Sequence, residues 1–209
     1  MQDTKLKFLI PVLIFLTSAL TFAQDNIIFI QHKSYCIYYD TILTLPIQAN
    51  YTFTLKNLGD QYKRTQFTLD KNVPKNLQST KSINTKIYDR GHLCPNDDFR
   101  FDSLSQRESM YYTNQAPQVK ELNRGVWKGI ENYVRLKGKF ISLKDSMIIK
   151  TGVISTSRIP DFFWKCIVYK NSKECFICAN KKELTTNKVI TTYKINIDSL
   201  RIKYKVNIK

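Results

Sequence analysis

Apolar and aromatic positions along this chain follow strand-like spacing in some segments and helix-like spacing in one. Residues 35–39 (Tyr-Cys-Ile-Tyr-Tyr) and 51–55 (Tyr-Thr-Phe-Thr-Leu) are rich in β-formers and predict strands. Residues 56–87 are polar, with Gly59, Pro74 and many Asn, Ser and Thr, and predict loop. A short helix is expected over 105–112. A longer one is expected over 122–136, where Leu122, Val126, Ile130 and Val134 form an i, i+4 apolar stripe. After it, 147–154, 162–169, 175–179 and 189–197 again carry β-branched and aromatic residues. Strands bracketing one main helix predict an α+β fold, with a central antiparallel-rich sheet flanked by helices.

Residues 1–23 stand apart from this pattern. Lys5 and Lys7 precede an apolar run from 8 to 22, and Thr21-Phe22-Ala23 places small residues at a cleavage position. The run is short for a membrane span, so a cleavable signal peptide cut after Ala23 is expected. Export to the periplasm or medium follows, without stable membrane association. Residues 24–209 contain no internal repeat or low-complexity linker and fit a single domain.

Charge narrows the choice of partner. Lys and Arg total 33 against 17 Asp and Glu, a formal net charge of +16. Only Lys5, Lys7 and Asp3 of these lie in the leader, so the basic character belongs to the mature domain. Such a surplus suits a polyanion such as a phosphate backbone, and it equally fits an ordinary Lys-rich surface. All five cysteines follow residue 23. Export permits disulfides, but the odd number leaves at least one cysteine unpaired and the pairing is not readable. Cys175 and Cys178 form a lone CxxC in a strand-like segment, where a structural role is expected. Zinc would need two further ligands at suitable spacing.

Two clusters carry candidate chemistry. On the helix, Asn123, Trp127, Glu131 and Arg135 are spaced at four residues and lie on one broad face, which could floor a cleft or simply be exposed. Asn123 and Glu131 sit roughly 12 Å apart along the axis, too far to ligate one ion directly together. An ion held by the Asn123 amide oxygen would meet Glu131 through bound water. Mg²⁺ suits this, because it takes oxygen ligands and keeps several waters. The second cluster is Asp89-Arg90-Gly91-His92. There a strand end running into a turn would present His92 as a proton acceptor, with Arg90 matching a phosphate oxygen. Gly91 would let backbone approach substrate, and Asp89 would support the turn.

These residues resemble the DNA/RNA non-specific endonucleases of the ββα-metal type. The similarity is carried by Tyr88-Asp89-Arg90-Gly91-His92-Leu93-Cys94-Pro95 with Asp98. It continues through Thr113-Asn114-Gln115-Ala116-Pro117-Gln118 and then Leu122-Asn123-Arg124-Gly125-Val126-Trp127 with Glu131. Weaker similarity extends to Arg64-Thr65-Gln66-Phe67 with Asp70, and to the later segment from Thr151 to Lys165. The resemblance implies a ββα-metal active-site core. His92 is then the general base, Asn123 the direct ligand of one Mg²⁺ (Mn²⁺ as substitute), and Glu131 the holder of a metal-bound water. It further implies that Arg90 stabilises phosphoryl charge with help from Arg64 and Arg135, and that Asn114 and Gln118 position the site. The substrate the resemblance implies is the backbone of DNA or RNA, read without sequence preference. The chain departs from the family at Ala179-Asn180 and Cys94, and it lacks an aromatic-Ser-Gly run before Tyr88. Preference between DNA and RNA and an inhibitor partner are not readable. A catalytically weak, basic nucleic-acid-binding protein on the same fold is the alternative, and a zinc enzyme built on the cysteines is a third reading.

Overall fold

The computed structural model describes residues 26–59, 62–78, 84–182 and 189–208; the expected leader, 1–23, lies outside them. Among the described residues nine strands form: β1 (Ile27–Gln31), β2 (Tyr35–Asp40), β3 (Leu45–Phe53), β4 (Tyr88–His92), β5 (Gln115–Val119), β6 (Met147–Ile154), β7 (Phe162–Tyr169), β8 (Ser172–Ala179) and β9 (Lys194–Ile195). Seven of them make one sheet in the order β1-β2-β3-β6-β7-β8-β9, and β4 and β5 pair separately. Every pairing within these sheets is antiparallel. The helices are α1 (Ser103–Ser109), a short α2 (Lys120–Leu122) continuing through a π-helical turn (Asn123–Trp127) into α3 (Lys128–Gly138), and α4 (Ile197–Tyr204). An antiparallel sheet carrying a ββα unit on one face is the α+β architecture expected.

Alternation along β7 shows how the sheet divides two cores. Phe163 and Ile167 enter the main cluster, whereas Trp164 and Cys166 enter a smaller one with Leu200 of α4. The α3 stripe meets the main cluster: Leu122, Val126, Ile130 and Val134 are all buried there. Each such side chain contributes roughly 1.5–3 kcal/mol, which fixes the helix against the sheet and so fixes whatever it carries. Trp127 also faces this core, its ring 5.5 Å from that of Phe163. It therefore does not belong to the cleft-facing row that simple i, i+4 spacing predicts. The wide turn at 123–127 breaks the 100° per residue rotation on which that spacing rests.

Cys166 and Cys175 sit opposite each other on β7 and β8 and are joined by a disulfide. Cys178 is three residues beyond Cys175, hence on the other face of the strand, and is buried in the main core as a free thiol. The CxxC pair is thus split across two cores, and the zinc reading loses its donors.

Residues 189–197 differ from the expected strand. Residues Ile190–Tyr193 form a 3-10 turn, β9 is two residues long, and α4 starts at Ile197, capped by the Asn196 side chain accepting from the Asp198 amide at 2.7 Å. The cap and the packing of Leu200 outweigh the β-propensity of Val189, Ile190 and the threonines.

Glu174 on β8 ties α3 to the sheet edge. It pairs with Lys137 and with Lys194 and accepts from Tyr133 Oη at 2.9 Å. Partial burial works to raise its pKa, but these partners prevail and hold it at about 2. The folded value lies below the unfolded one near 4.5, so the contribution is complete above about 4.5 and lost as pH falls through about 2. Glu174→Gln should therefore lower urea-unfolding stability by about 0.5–1 kcal/mol at pH 7. Its pH–stability curve should converge with wild type at acid pH; parallel curves would show that Glu174 contributes nothing.

Candidate active site

β4 and β5 run antiparallel with Asp89 opposite Gln118 and His92 opposite Gln115. The tetrapeptide Asp89-Arg90-Gly91-His92 is thus strand rather than turn, and His92 ends it. Gly91 is required by cross-strand packing and not by substrate approach: a Cβ there would lie 2.6 Å from Cβ of the buried Gln118. Beyond His92 the chain is clamped by buried Asn114. Its Oδ1 accepts from the Cys94 amide at 2.9 Å, and its Nδ2 donates to the Cys94 and Ser109 carbonyls at 2.8 Å. Asn180 pins β5 by accepting from the Val119 amide and donating to the Pro117 and Pro160 carbonyls. The departure noted at Ala179-Asn180 leaves this clamp intact, since Asn180 itself makes it.

The second strand of the pair leads into α2 and then Asn123. At Gly125 the backbone leaves helical geometry (φ −102°, ψ −108°). Asp89 reaches across to this turn. Its Oδ2 accepts from Asn123 Nδ2 at 2.9 Å and Arg124 Nε at 2.8 Å, and its Oδ1 accepts from Arg124 Nη2 at 2.8 Å. The Arg124 guanidinium holds the Asp89 carboxyl below the usual carboxylate range despite partial burial. With Nδ2 committed to Asp89, the Asn123 amide oxygen is the atom left to accept or to ligate.

Glu131, two turns further along, makes no hydrogen bond or ion pair among the described residues. Burial lifts its pKa to about 7, Lys165 opposing and Asp98 adding to the rise. Asp98 is fully buried, accepting from Tyr51 Oη at 2.7 Å and Arg135 Nη1 at 2.8 Å. Arg135 also donates to Asn132 Oδ1 at 2.7 Å, so its guanidinium is occupied in bracing α3. Lys165 is fully buried, its Nζ 5.2 Å from the Trp127 ring centre and 3.3 Å from the Leu93 carbonyl.

His92 lies half-buried, its Nε2 3.4 Å from the Met110 sulfur and its ring 5.2 Å from that of Phe67. Phe67 in turn underlies Arg64, whose guanidinium carbon is 5.6 Å from the ring centre. Burial, and then the charge of Arg64, lower the His92 pKa to about 3, so the imidazole is neutral at pH 7. Arg90 stacks over Tyr112 at 4.9 Å.

These parts converge. One cleft of about 600 Å³ is lined by Arg64, Arg90, His92, Asn123, Glu131 and Arg135, every residue expected from sequence, together with Phe67, Asp89, Arg124 and Lys128. Sequence reading undervalued Asp89, which orients the amide instead of supporting a turn. It also missed Lys165, whose signal was a lysine alternating with Phe163 and Ile167 on a buried strand face. Arg124 stands in the linked motif with no role assigned to it, and Lys128 gave no signal beyond general basicity.

A large antiparallel sheet bearing a ββα cleft of this composition defines a ββα-metal nuclease fold. The chain matches the DNA/RNA non-specific endonuclease family over residues 15–206 and belongs to it. It is similar to the salivary endonuclease of Lutzomyia longipalpis, with 30% identity over 46% of this chain and 28% of that protein. It is also similar to a nuclease of Nostoc sp., with 25% identity over 68% of this chain and 59% of that one. The chain thus spans less than two thirds of these relatives. The crystal structure of the EndoG/EndoGI complex shares the fold, at TM-score 0.70 and 22% identity over 83% of this chain and 82% of that one.

Because Arg64 disfavours the imidazolium, Arg64→Gln should raise the His92 pKa above about 3. An NMR titration of the His92 ring resonances measures this, and an unmoved midpoint would remove Arg64 from the electrostatics of the site.

Proposed function

We propose that this chain is an exported, Mg²⁺-dependent endonuclease that hydrolyses phosphodiester bonds of DNA and RNA with little sequence preference. The observation that carries the reading is the single cleft holding His92, Asn123, Glu131 and Arg90. A divalent cation fits the donors: an amide oxygen whose nitrogen is already bound, and a carboxylate without a protein partner. Asn123 would hold Mg²⁺ (or Mn²⁺) directly and Glu131 would hold one of its waters. When bound, the cation supplies charge neutralisation at the phosphoryl group and at the leaving oxygen.

The chain's own residues do the rest. Neutral His92 takes the proton from a water aligned with phosphorus. Arg90 faces the developing phosphoryl charge, with Arg64 close by. Arg135, bound to Asp98, acts chiefly by bracing the helix that carries Glu131. An anionic phosphodiester beside Arg64 offsets one of the two causes that depress His92, so the base strengthens when substrate is seated. The cleft contacts backbone chemistry common to DNA and RNA. Export is supported by the leader pattern of residues 1–23 and by the Cys166–Cys175 disulfide, which suits an oxidising compartment.

Purified protein should nick supercoiled DNA and degrade RNA with Mg²⁺, stop with EDTA, and recover on Mg²⁺ add-back. His92→Ala should slow cleavage by about 10²- to 10⁴-fold with the fold intact. Cleavage at the wild-type rate would sink the assignment of the base. A wild-type protein that binds but does not cut would be a nucleic-acid-binding protein on the nuclease fold. Asp89→Ala releases the Asn123 amide and should weaken Mg²⁺ binding roughly 10- to 100-fold by calorimetric titration; unchanged affinity would show that Asp89 does not set the ligand.

A further inference from the structure

His92 has one hydrogen-bonding neighbour among the described residues, and it is a thioether. Its Nε2 lies 3.4 Å from Sδ of Met110, a residue only 1% exposed. The backbone around that sulfur is pinned. The Met110 amide donates to the Arg107 carbonyl at 3.1 Å, and its own carbonyl accepts from the Thr68 amide at 3.2 Å and from Gln115 Nε2 at 3.3 Å. Phe67 lies against the imidazole at 5.2 Å, with its plane tilted 33° from the imidazole plane. Ring and sulfur are thereby held in a fixed relation.

A thioether has lone pairs and no proton, so it can only accept. A neutral imidazole carries one N–H and one lone pair. If Nε2 bore the lone pair, two acceptors would face each other across 3.4 Å where water has little room to bridge them. The contact is favourable only when Nε2 carries the hydrogen.

We infer that Met110 is a positioning residue, whose thioether holds His92 in the Nε2–H tautomer and leaves Nδ1 as the atom that accepts the proton of the attacking water. This rests on the reading of His92 as the base. In many sites a carboxylate or carbonyl orients the catalytic imidazole. An uncharged sulfur selects the tautomer without placing a negative charge beside the ring, so it orients the base without favouring the imidazolium.

The test uses the full mature chain labelled with ¹⁵N, read by two-bond ¹H–¹⁵N correlation of the imidazoles at pH 7. The chain has two histidines, and His92→Ala identifies the signal that belongs to His92. In wild type, Nε2 should resonate as protonated and Nδ1 as unprotonated. Met110→Leu conserves volume and should keep the fold, which a thermal melt confirms. In that variant both nitrogens should shift toward the averaged values of a tautomer mixture. Its kcat should fall about tenfold with KM within twofold. A wild-type His92 protonated at Nδ1 overturns the inference without any variant. So does a Met110→Leu protein whose tautomer is unchanged, whatever its rate, because a merely structural Met110 would lower activity without moving those resonances. If the tautomer behaves as expected while His92→Ala cuts normally, the failure lies in the assignment of the base and not in the role of Met110.

Discussion

The site depends on one carboxylate. Asp89 stands on β4 beside Arg90 and three residues before His92, and it binds the Asn123 amide and the Arg124 guanidinium across the cleft. That bridge is the direct link at the cleft between the strand carrying the imidazole and the helix carrying Asn123 and Glu131. The bridge sets distance and also chemistry. An amide can present either end, and a fixed anion against Nδ2 selects which end faces the cleft. The bidentate Arg124 contact keeps Asp89 ionised, so the selection persists well below neutral pH.

Beneath this surface joint lies a second layer of charge. Asp98, Arg135, Lys165 and Glu131 are gathered between α3 and the inner face of the sheet, with Tyr51 donating to Asp98. Buried ion pairs are a poor route to stability, since desolvation offsets most of the attraction. A better physical account is positional. Asp98 and Arg135 lock the helix in angle. Lys165 supplies a positive charge that offsets part of the burial penalty on Glu131. The carboxylate is thus left near the midpoint of its titration at pH 7, where the cation proposed for this cleft would favour its ionised form. Lys165 can occupy this place because β7 alternates strictly, sending Phe163, Lys165 and Ile167 inward and Trp164 and Cys166 to the α4 side.

How much of this was legible in the sequence follows from which interactions are local. The stripe Leu122, Val126, Ile130 and Val134 is a local periodicity, and all four are buried as the spacing implies. The motif residues Arg90, His92, Asn123 and Glu131, with the flanking Arg64 and Arg135, all line the cleft. What escaped depends on contacts distant in sequence or on broken periodicity. The turn at Gly125 rotates Trp127 into the core. The partner of Cys175 is Cys166 on the neighbouring strand rather than Cys178, which only strand register reveals. α4 was hidden by β-branched residues just before its cap. The need for Gly91 is likewise non-local, because the Gln118 side chain occupies the space a Cβ would fill.

The electrostatics of the cleft bear on when the proposed base can act. Burial and Arg64 together keep His92 uncharged, so the free enzyme holds a lone pair that is available but weakly basic. Raising basicity by a permanent carboxylate partner would charge the imidazole near neutral pH and forfeit the acceptor. A thioether partner avoids this, because it fixes the hydrogen on one nitrogen and adds no charge. Under the proposed function, the missing negative charge would come from the substrate. A phosphodiester drawn in by Arg64, Arg90 and the other cations of the rim would bring its anion next to the ring as it neutralises Arg64. Under this arrangement proton acceptance is strengthened only in the loaded cleft, and the cations that recruit the backbone are part of what makes the base competent.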